Sequence, residues 1–379
     1  MLKLREKYDI VVVGAGPAGL AFIKTVRKEN PHASILLLEK YSYPRDKICG
    51  DGISSLVPPL IGEIFPEIAD KISKESLTQK YRIWYPSGEC ITKLSPPLNV
   101  IPRKTFDYLL WTATVDQSID VLEEASATKL IFDECRAIQG IQFIHEKNER
   151  SVKADLIVGA DGSNSIVRRQ TSLSPRYENG IIAVRQYVKG IPNIDDGLVF
   201  FLDPDNIGYF WIFPFTKDGE RWANIGYGTK KSNLRGKFYQ WCEDPKVKEY
   251  LGDGILQGTL KGFPLNIINS RFAKLRIKDA IWGKGYLLLG DAAGLIHPYT
   301  GEGISAALLS GKIAAELYNK KLPMQQLGKT YQREIINVLQ NFYALIYTSK
   351  LYILPCLIPP PWRALYVKIL SWIENRKPY

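Results

Sequence analysis

Three glycines within six residues, in the run Gly14-Ala15-Gly16-Pro17-Ala18-Gly19, are the first feature of this chain whose spacing can do chemistry. Glycines so spaced let a backbone turn tightly against a diphosphate, and the N–H groups that open a following helix, aided by its dipole, hold the anion. An acid about 20 residues further on suits the hydroxyls of a ribose. Glu39, followed by Lys40, stands there. This chemistry requires particular elements around it. Tyr8 to Val13 (YDIVVV) is β-branched, lacks polar alternation and ends at glycine, which predicts a buried strand. Leu20 to Ile23 continues from the loop as a helix, and a second strand, Ser34 to Leu38, delivers Glu39. Strand, glycine turn, helix and spaced acid together specify a dinucleotide site, whereas a plain glycine turn leaves Glu39 unexplained.

Two further turns carry an acid beside glycine. Ala154 to Ala160 (ADLIVGA) is another apolar strand, ending in Asp161-Gly162-Ser163-Asn164-Ser165, a tight turn into a helix capped by Ser or Asn. Tyr286 to Leu289 delivers Gly290-Asp291-Ala292-Ala293-Gly294, and Gly301-Glu302-Gly303-Ile304 leads into a helix of small and aliphatic residues, Ser305 to Leu317. The set GAGPAG, GADGSNS and GDAAG…PYTGEGI resembles the p-hydroxybenzoate hydroxylase-like FAD superfamily. That resemblance implies non-covalent FAD rather than NAD, on an α/β Rossmann-type domain. It implies Asp291 on ribityl or ribose hydroxyls, the backbone of Gly303 and Ile304 facing flavin N1 and O2, and Asp161 and Gly162 bordering the pyrophosphate. A helix N-terminus stabilises an anion by about 0.3 to 1 kcal/mol, which favours negative charge on the reduced ring. Arg103, in IPRKTFD, resembles an arginine placed near FAD in that superfamily; by residue type alone it reads as a surface arginine opening a helix. No second GxGxxG unit is present in the sequence, so the electron donor, NADPH or a ferredoxin-like protein, is expected to dock transiently.

Two more segments narrow the branch. Pro44-Arg45-Asp46-Lys47-Ile48-Cys49-Gly50-Asp51-Gly52 resembles the PxxKxCGxG signature of the geranylgeranyl reductase family, and Gly208-Tyr209-Phe210-Trp211-Ile212-Phe213-Pro214 resembles its YxWxFP motif. Flavin-dependent halogenases carry a similar WxWxIP, which Tyr209 fits less well. The resemblance implies reduction of C=C bonds in a polyprenyl lipid or isoprenoid chain by hydride transfer from reduced flavin, with Lys47, Cys49 and Gly50 near the cofactor. Strand alternation puts Tyr209, Trp211 and Phe213 on one face. The pattern alone fits a sheet core equally well; beside a flavin, such a wall holds a polyprenyl chain through buried surface at about 25 cal/mol per Å2. Cys49 reads either as a small residue packed by glycine or as a neutral thiol that donates a proton. His297, before a proline, reads as a loop-shaping residue. Rival functions are an FAD monooxygenase that hydroxylates or epoxidises an apolar or aromatic substrate, and a non-redox isomerase, cyclase or lipid carrier.

Composition agrees with an enzyme of this kind. The 379 residues are 45% hydrophobic and 23% charged, with net charge +11 and no long single-sign block, which suits an anionic cofactor or lipid surface. Zinc-finger spacing and RNP-like motifs are absent from the sequence, so nucleic acid is not an expected partner. The five scattered cysteines form no CxxC pair, so neither a disulfide framework nor a metal site is expected. The charged N-terminus lacks a signal-peptide core, and no run reaches about 20 apolar residues, giving a cytoplasmic expectation. Because the cofactor motifs are far apart, a discontinuous FAD domain is expected at 1–78, 101–175 and 276–325. An antiparallel β-sheet substrate domain is expected at 79–100 and 176–275, and a C-terminal helical region at 326–379. Trp362 to Ile373 reads either as a helix packed on the substrate domain or as an amphipathic helix in peripheral contact with a membrane, at the inner face.

Overall fold

Four aliphatic runs scattered along the chain become one row of parallel strands in the computed structural model, which describes residues 4–86, 88–171, 181–193, 197–206, 208–229, 233–265, 281–297 and 301–338. β1 (Lys7–Val13) runs parallel to β2 (Ile35–Leu38) on one side and to β9 (Asn148–Gly159) on the other. β16 (Tyr286–Leu288) joins β9 in parallel, and β6 (Asp120–Leu122) extends the opposite edge beyond β2. Register is what matters for the site. Val13 pairs with Leu38 and with Gly159, and Gly159 pairs with Leu288, so four strands end level. The three motif turns and Glu39 therefore leave from one carboxyl edge, where open α/β sheets bind ligands. The antiparallel strands β7 (Ser126–Phe132) and β8 (Ile138–His145) attach to β9, and β15 (Trp282–Gly283) to β16.

Two helices close on that edge. α1 (Pro17–Glu29) starts after Gly16 with proline in its first turn, and α8 (Ile304–Asn319) starts after Gly303; neither N-cap residue offers a side chain. They cross closely at Gly311, where a methyl group would overlap Ala18 O and lie 3.0 Å from Phe22 N. Gly311→Val is expected to destabilise the protein by about 1 to 3 kcal/mol through overpacking, read as a lowered urea midpoint with an unchanged slope.

The second sheet runs β14 (Ile255–Leu265), β10 (Ile181–Lys189), β13 (Glu220–Thr229), β12 (Gly208–Lys217), β11 (Leu198–Asp203), β4 (Leu77–Tyr85), β5 (Gly88–Val100), β3 (Gly52–Ile53). β4 and β5 form a hairpin, with Tyr85 opposite Gly88. The sheet departs from the antiparallel expectation at one pair: β11 and β4 are parallel. They are not joined by a hairpin, so nothing forces them to oppose. One face of the sheet packs Phe210, Ile212 and Tyr227 against Phe238 of α6 (Leu234–Cys242) and Val247 and Tyr250 of α7 (Pro245–Leu251). The other gathers Trp211, Phe213 and Phe215, with Tyr209 and Tyr187 beside them.

Residues 324–338 are helical, in keeping with the expected turn to helix after the α8 region. The segment from Trp362 to Ile373 lies outside the described residues. Among the described residues no helix is long and apolar enough to cross a membrane.

Candidate active site

The first and second motif turns touch. Gly14 has φ +100°, a left-handed conformation, and a methyl there would overlap Ala160 O and approach Asp161 Cα to 3.0 Å. Gly16 instead has an ordinary extended conformation and faces open space, the nearest group to a methyl there being Arg45 Nη2 at 3.9 Å. An uncapped helix start, an open backbone and a guanidinium alongside fit the diphosphate of a dinucleotide. Glu39 is 4% exposed and oriented by two backbone donors: Ala15 N–H to Oε2 at 2.8 Å and Tyr41 N–H to Oε1 at 3.0 Å.

The third turn joins the second through Arg168 on α5 (Ile166–Thr171). Its Nη2 donates to Ser163 O at 2.6 Å and its Nη1 to Ala292 O at 3.0 Å, while Ser163 Oγ donates to Asp291 Oδ2 at 3.4 Å. Gly303 packs on Asp291, whose Oδ1 lies 3.2 Å from where a methyl would be. Asp161 takes a capping role: its Oδ2 accepts the Ile166 and Val167 N–H groups at 2.6 and 3.4 Å. Its Oδ1 is buried with no hydrogen-bond partner among the described residues, an acceptor that suits a cofactor hydroxyl. Glu302 orders the start of α8, accepting Ser305 N–H and Oγ–H at 2.9 Å each. His297 closes the same loop through its backbone, accepting Gly301 N–H at 3.0 Å and donating to Glu302 O at 2.7 Å. Burial lowers its imidazole to about 4, so it is neutral at pH 7 and no proton source there. Pro298, Tyr299 and Thr300 of the sequence motif lie outside the described residues.

The cysteine turn lies flat on the aromatic face of β12. A methyl at Gly50 would stand 3.0 Å from Phe213 Cε2 and 3.5 Å from Trp211 Nε1; one at Gly52 would stand 3.3 Å from Phe213 Cε2. A side chain at either position would press on the Phe213 ring. Asn224 on β13 bridges the two, accepting from Trp211 Nε1 at 3.0 Å and donating to Cys49 O at 2.8 Å. The rings continue as a row, Tyr209 to Trp211 at 5.9 Å and Trp211 to Phe213 at 6.3 Å between centroids. Burial pushes the Cys49 thiol above its ordinary range, against the pull of Arg103, so it carries its proton at neutral pH.

Arg103 is buried, not a surface residue, and begins α4 (Arg103–Thr114). It pairs with Asp107 through two contacts, Nε to Oδ1 at 2.6 Å and Nη2 to Oδ2 at 2.9 Å. Arg45 shares Asp107 at 2.9 Å and reaches Glu39 at 3.5 Å. A continuous line of charge thus runs from Glu39 through Arg45 and Asp107 to Arg103, whose charge acts on the Cys49 thiol. The two lysines are placed differently. Lys40 is exposed, its ammonium over the Tyr41 ring, and Lys47 points across to β14, its Nζ 3.6 Å from the Phe263 ring centroid.

Residues 92–335 match the family described as FAD binding domain. The chain is 31% identical over 319 residues to digeranylgeranylglycerophospholipid reductase 1 of Methanopyrus kandleri, covering 82% of this chain and 80% of that protein. It is 29% identical over 350 residues to digeranylgeranylglycerophospholipid reductase of Picrophilus torridus, covering 88% and 82%. The chain belongs to the geranylgeranyl reductase family of FAD-dependent oxidoreductases. Its cofactor is FAD. A geranylgeranyl bacteriochlorophyll reductase-like structure from Thermoplasma acidophilum shares the fold, with TM-score 0.76 at 23% identity over 97% of this chain and 92% of that one. So does a myxobacterial chondrochloren halogenase, with TM-score 0.73 at 19% identity over 90% and 82%.

Within this reductase family member, the groups that sequence reading passed over are Arg45, Asp51, Asp107, Arg168 and Asn224. Asp107 alone left a local signal, since it follows Arg103 by one helical turn. Asp107 is fully buried between two arginines. Asp107→Ala leaves both cations without a counter-charge and is expected to destabilise the protein by roughly 3 kcal/mol or more, read by urea unfolding.

Proposed function

We propose that this protein saturates C=C bonds in the polyprenyl chains of a lipid, and that the cysteine turn and the β12 aromatic row form the place where the alkene meets the flavin. The observation that supports this most is the close approach of Gly50 and Gly52, in the cysteine turn, to Phe213 and Trp211 of the aromatic face. FAD, when bound, supplies the hydride. Gly14, Ala15, Gly16, Pro17, Ala18 and Gly19 hold its diphosphate, Glu39 and Asp291 its hydroxyls, and Gly301, Gly303 and Ile304 the ring. Asp161 and Gly162 border the nucleotide. Tyr209, Trp211 and Phe213 line the chain of the substrate and keep water from it.

Addition of hydride to one alkene carbon requires a proton on the other. Cys49 Sγ–H supplies it, and the positive charge of Arg103 stabilises the thiolate that is left. Lys47, buried beside Phe263 and lowered by that burial, adds positive potential from the other side. The electron donor is NADPH or a ferredoxin-like protein. Incubating the FAD-loaded protein with dithionite and a digeranylgeranyl phospholipid under argon, then weighing the lipid by mass spectrometry, tests the reading. Species heavier by two hydrogens per bond are expected. Recovery of unchanged lipid, or of lipid carrying an added oxygen atom once air is admitted, points to the rival chemistries.

A further inference from the structure

Asp51 is the one fully buried carboxylate in the cysteine turn, and it has no part in the chemistry described so far. Its backbone is left-handed, at φ +66°, a conformation that costs a residue with a side chain and is kept where surroundings enforce it. Three donors do so from three elements. Tyr187 OH on β10 and Asn224 Nδ2 on β13 both reach Oδ2, at 2.6 and 2.7 Å, and Arg103 N–H at the start of α4 reaches Oδ1 at 3.2 Å. Asn224 Nδ2 also holds Cys49 O, so one amide ties the carboxylate to the cysteine two residues before it. The Arg103 guanidinium, whose own backbone N–H Asp51 holds, acts on the Cys49 thiol in the direction of thiolate, and the Asp51 carboxylate acts in the opposite direction.

We propose that Asp51 is a positioning residue that, together with burial, keeps Cys49 in its proton-bearing state at neutral pH, by countering Arg103 across the cysteine turn. Arg103 alone would draw the thiol towards thiolate, as cations beside cysteine do. Burial opposes that pull most, Asp107 neutralises part of it through its paired contacts, and the Asp51 carboxylate adds to the opposition. The other charged or titratable groups facing this pair are Arg185 and Tyr187 on β10, Lys47 in the turn and Tyr209 on β12. Burial raises Asp51 to about 6, so it is charged above that pH and its effect on Cys49 is present at pH 7. Its value to the enzyme rests on the proposed role of Cys49 as proton donor. The test below reads the thiol directly, without turnover, so a failure of alkene reduction and a failure of this inference are separable.

The test is iodoacetamide labelling of the FAD-loaded protein across pH, followed by peptide mass spectrometry. Cys49 is partly exposed, and the exposed Cys135 serves as the internal standard. Asp51→Asn suits the left-handed backbone and removes the charge together with one of the two accepting oxygens. It is expected to raise labelling of Cys49 relative to Cys135 at pH 7 by about tenfold, one pKa unit, and to move the pH profile down to match. Asp51→Glu, which keeps the charge, is expected to stay within about twofold of the unmodified protein. An Asp51→Asn protein with FAD bound and an unchanged ratio overturns the proposal, as does an equal shift in Asp51→Asn and Asp51→Glu. Should Asp51→Asn take up no FAD, Tyr187→Phe decides. Loss of that hydroxyl weakens the charged form of Asp51, and labelling of Cys49 should rise by about threefold; no rise, or a fall, overturns it.

Discussion

Gly16→Val is expected to leave the protein folded and to weaken FAD binding by about 10³-fold, roughly 4 kcal/mol. Two observations separate those effects. The backbone at Gly16 has φ −76°, which valine adopts without strain, and a methyl there meets no protein atom nearer than 3.9 Å. The space the side chain would fill is the space over the uncapped start of α1 that a diphosphate needs. Gly14 offers no such separation, because a side chain there collides with Ala160 and the fold suffers with the cofactor. Thermal unfolding of cofactor-free protein and a flavin absorbance titration read the two effects independently. Normal FAD affinity in a folded Gly16→Val protein would remove the diphosphate from this loop.

The second large effect is expected at Cys49. Cys49→Ala should keep FAD, since the alanine fits where a small side chain already packs beside Gly50, and should slow alkene reduction by about 10² or more, the range for loss of a general acid. Cys49→Ser tests the proton rather than the volume. Its hydroxyl is a far weaker acid than the thiol, so it should rescue little of the rate. Flavin reoxidation by lipid in single-turnover mixing is the measurement. A Cys49→Ala protein that reoxidises at the unmodified rate transfers the proton role to another group or to water.

What was legible in the sequence is what local pattern encodes. The glycine loop, the strands before each motif and the helices after them follow from period and turn chemistry, and the level ends of β1, β2, β9 and β16 bring those turns together. Strand alternation placed Tyr209, Trp211 and Phe213 on one face, and it holds because Phe210 and Ile212 belong to the opposite core. The polar framework beneath them was not legible. Asn224 and Tyr187 reach Asp51 only because β13 and β10 are adjacent in the second sheet, a long-range pairing that no local spacing announces. Arg45 and Asp107 meet across 62 residues. The direction of long side chains was also beyond reach, as Lys40 and Lys47 show: both follow a cofactor motif, yet one lies over Tyr41 and the other over Phe263. Position in sequence fixes where a Cα lies, but for a flexible four-carbon stem it leaves the charge several ångströms free.

A single anaerobic turnover tests the central claim most directly: FAD-loaded protein, fully reduced and freed of reductant, mixed with a polyprenyl phospholipid in deuterated buffer. One double bond should be lost for each flavin oxidised, with deuterium at both new carbon-hydrogen positions, because the N–H hydrogen of the reduced ring and the thiol hydrogen both exchange with the buffer. Flavin that stays reduced while the lipid is bound, or double bonds that persist while the flavin is oxidised, would contradict the assignment of this site to alkene reduction.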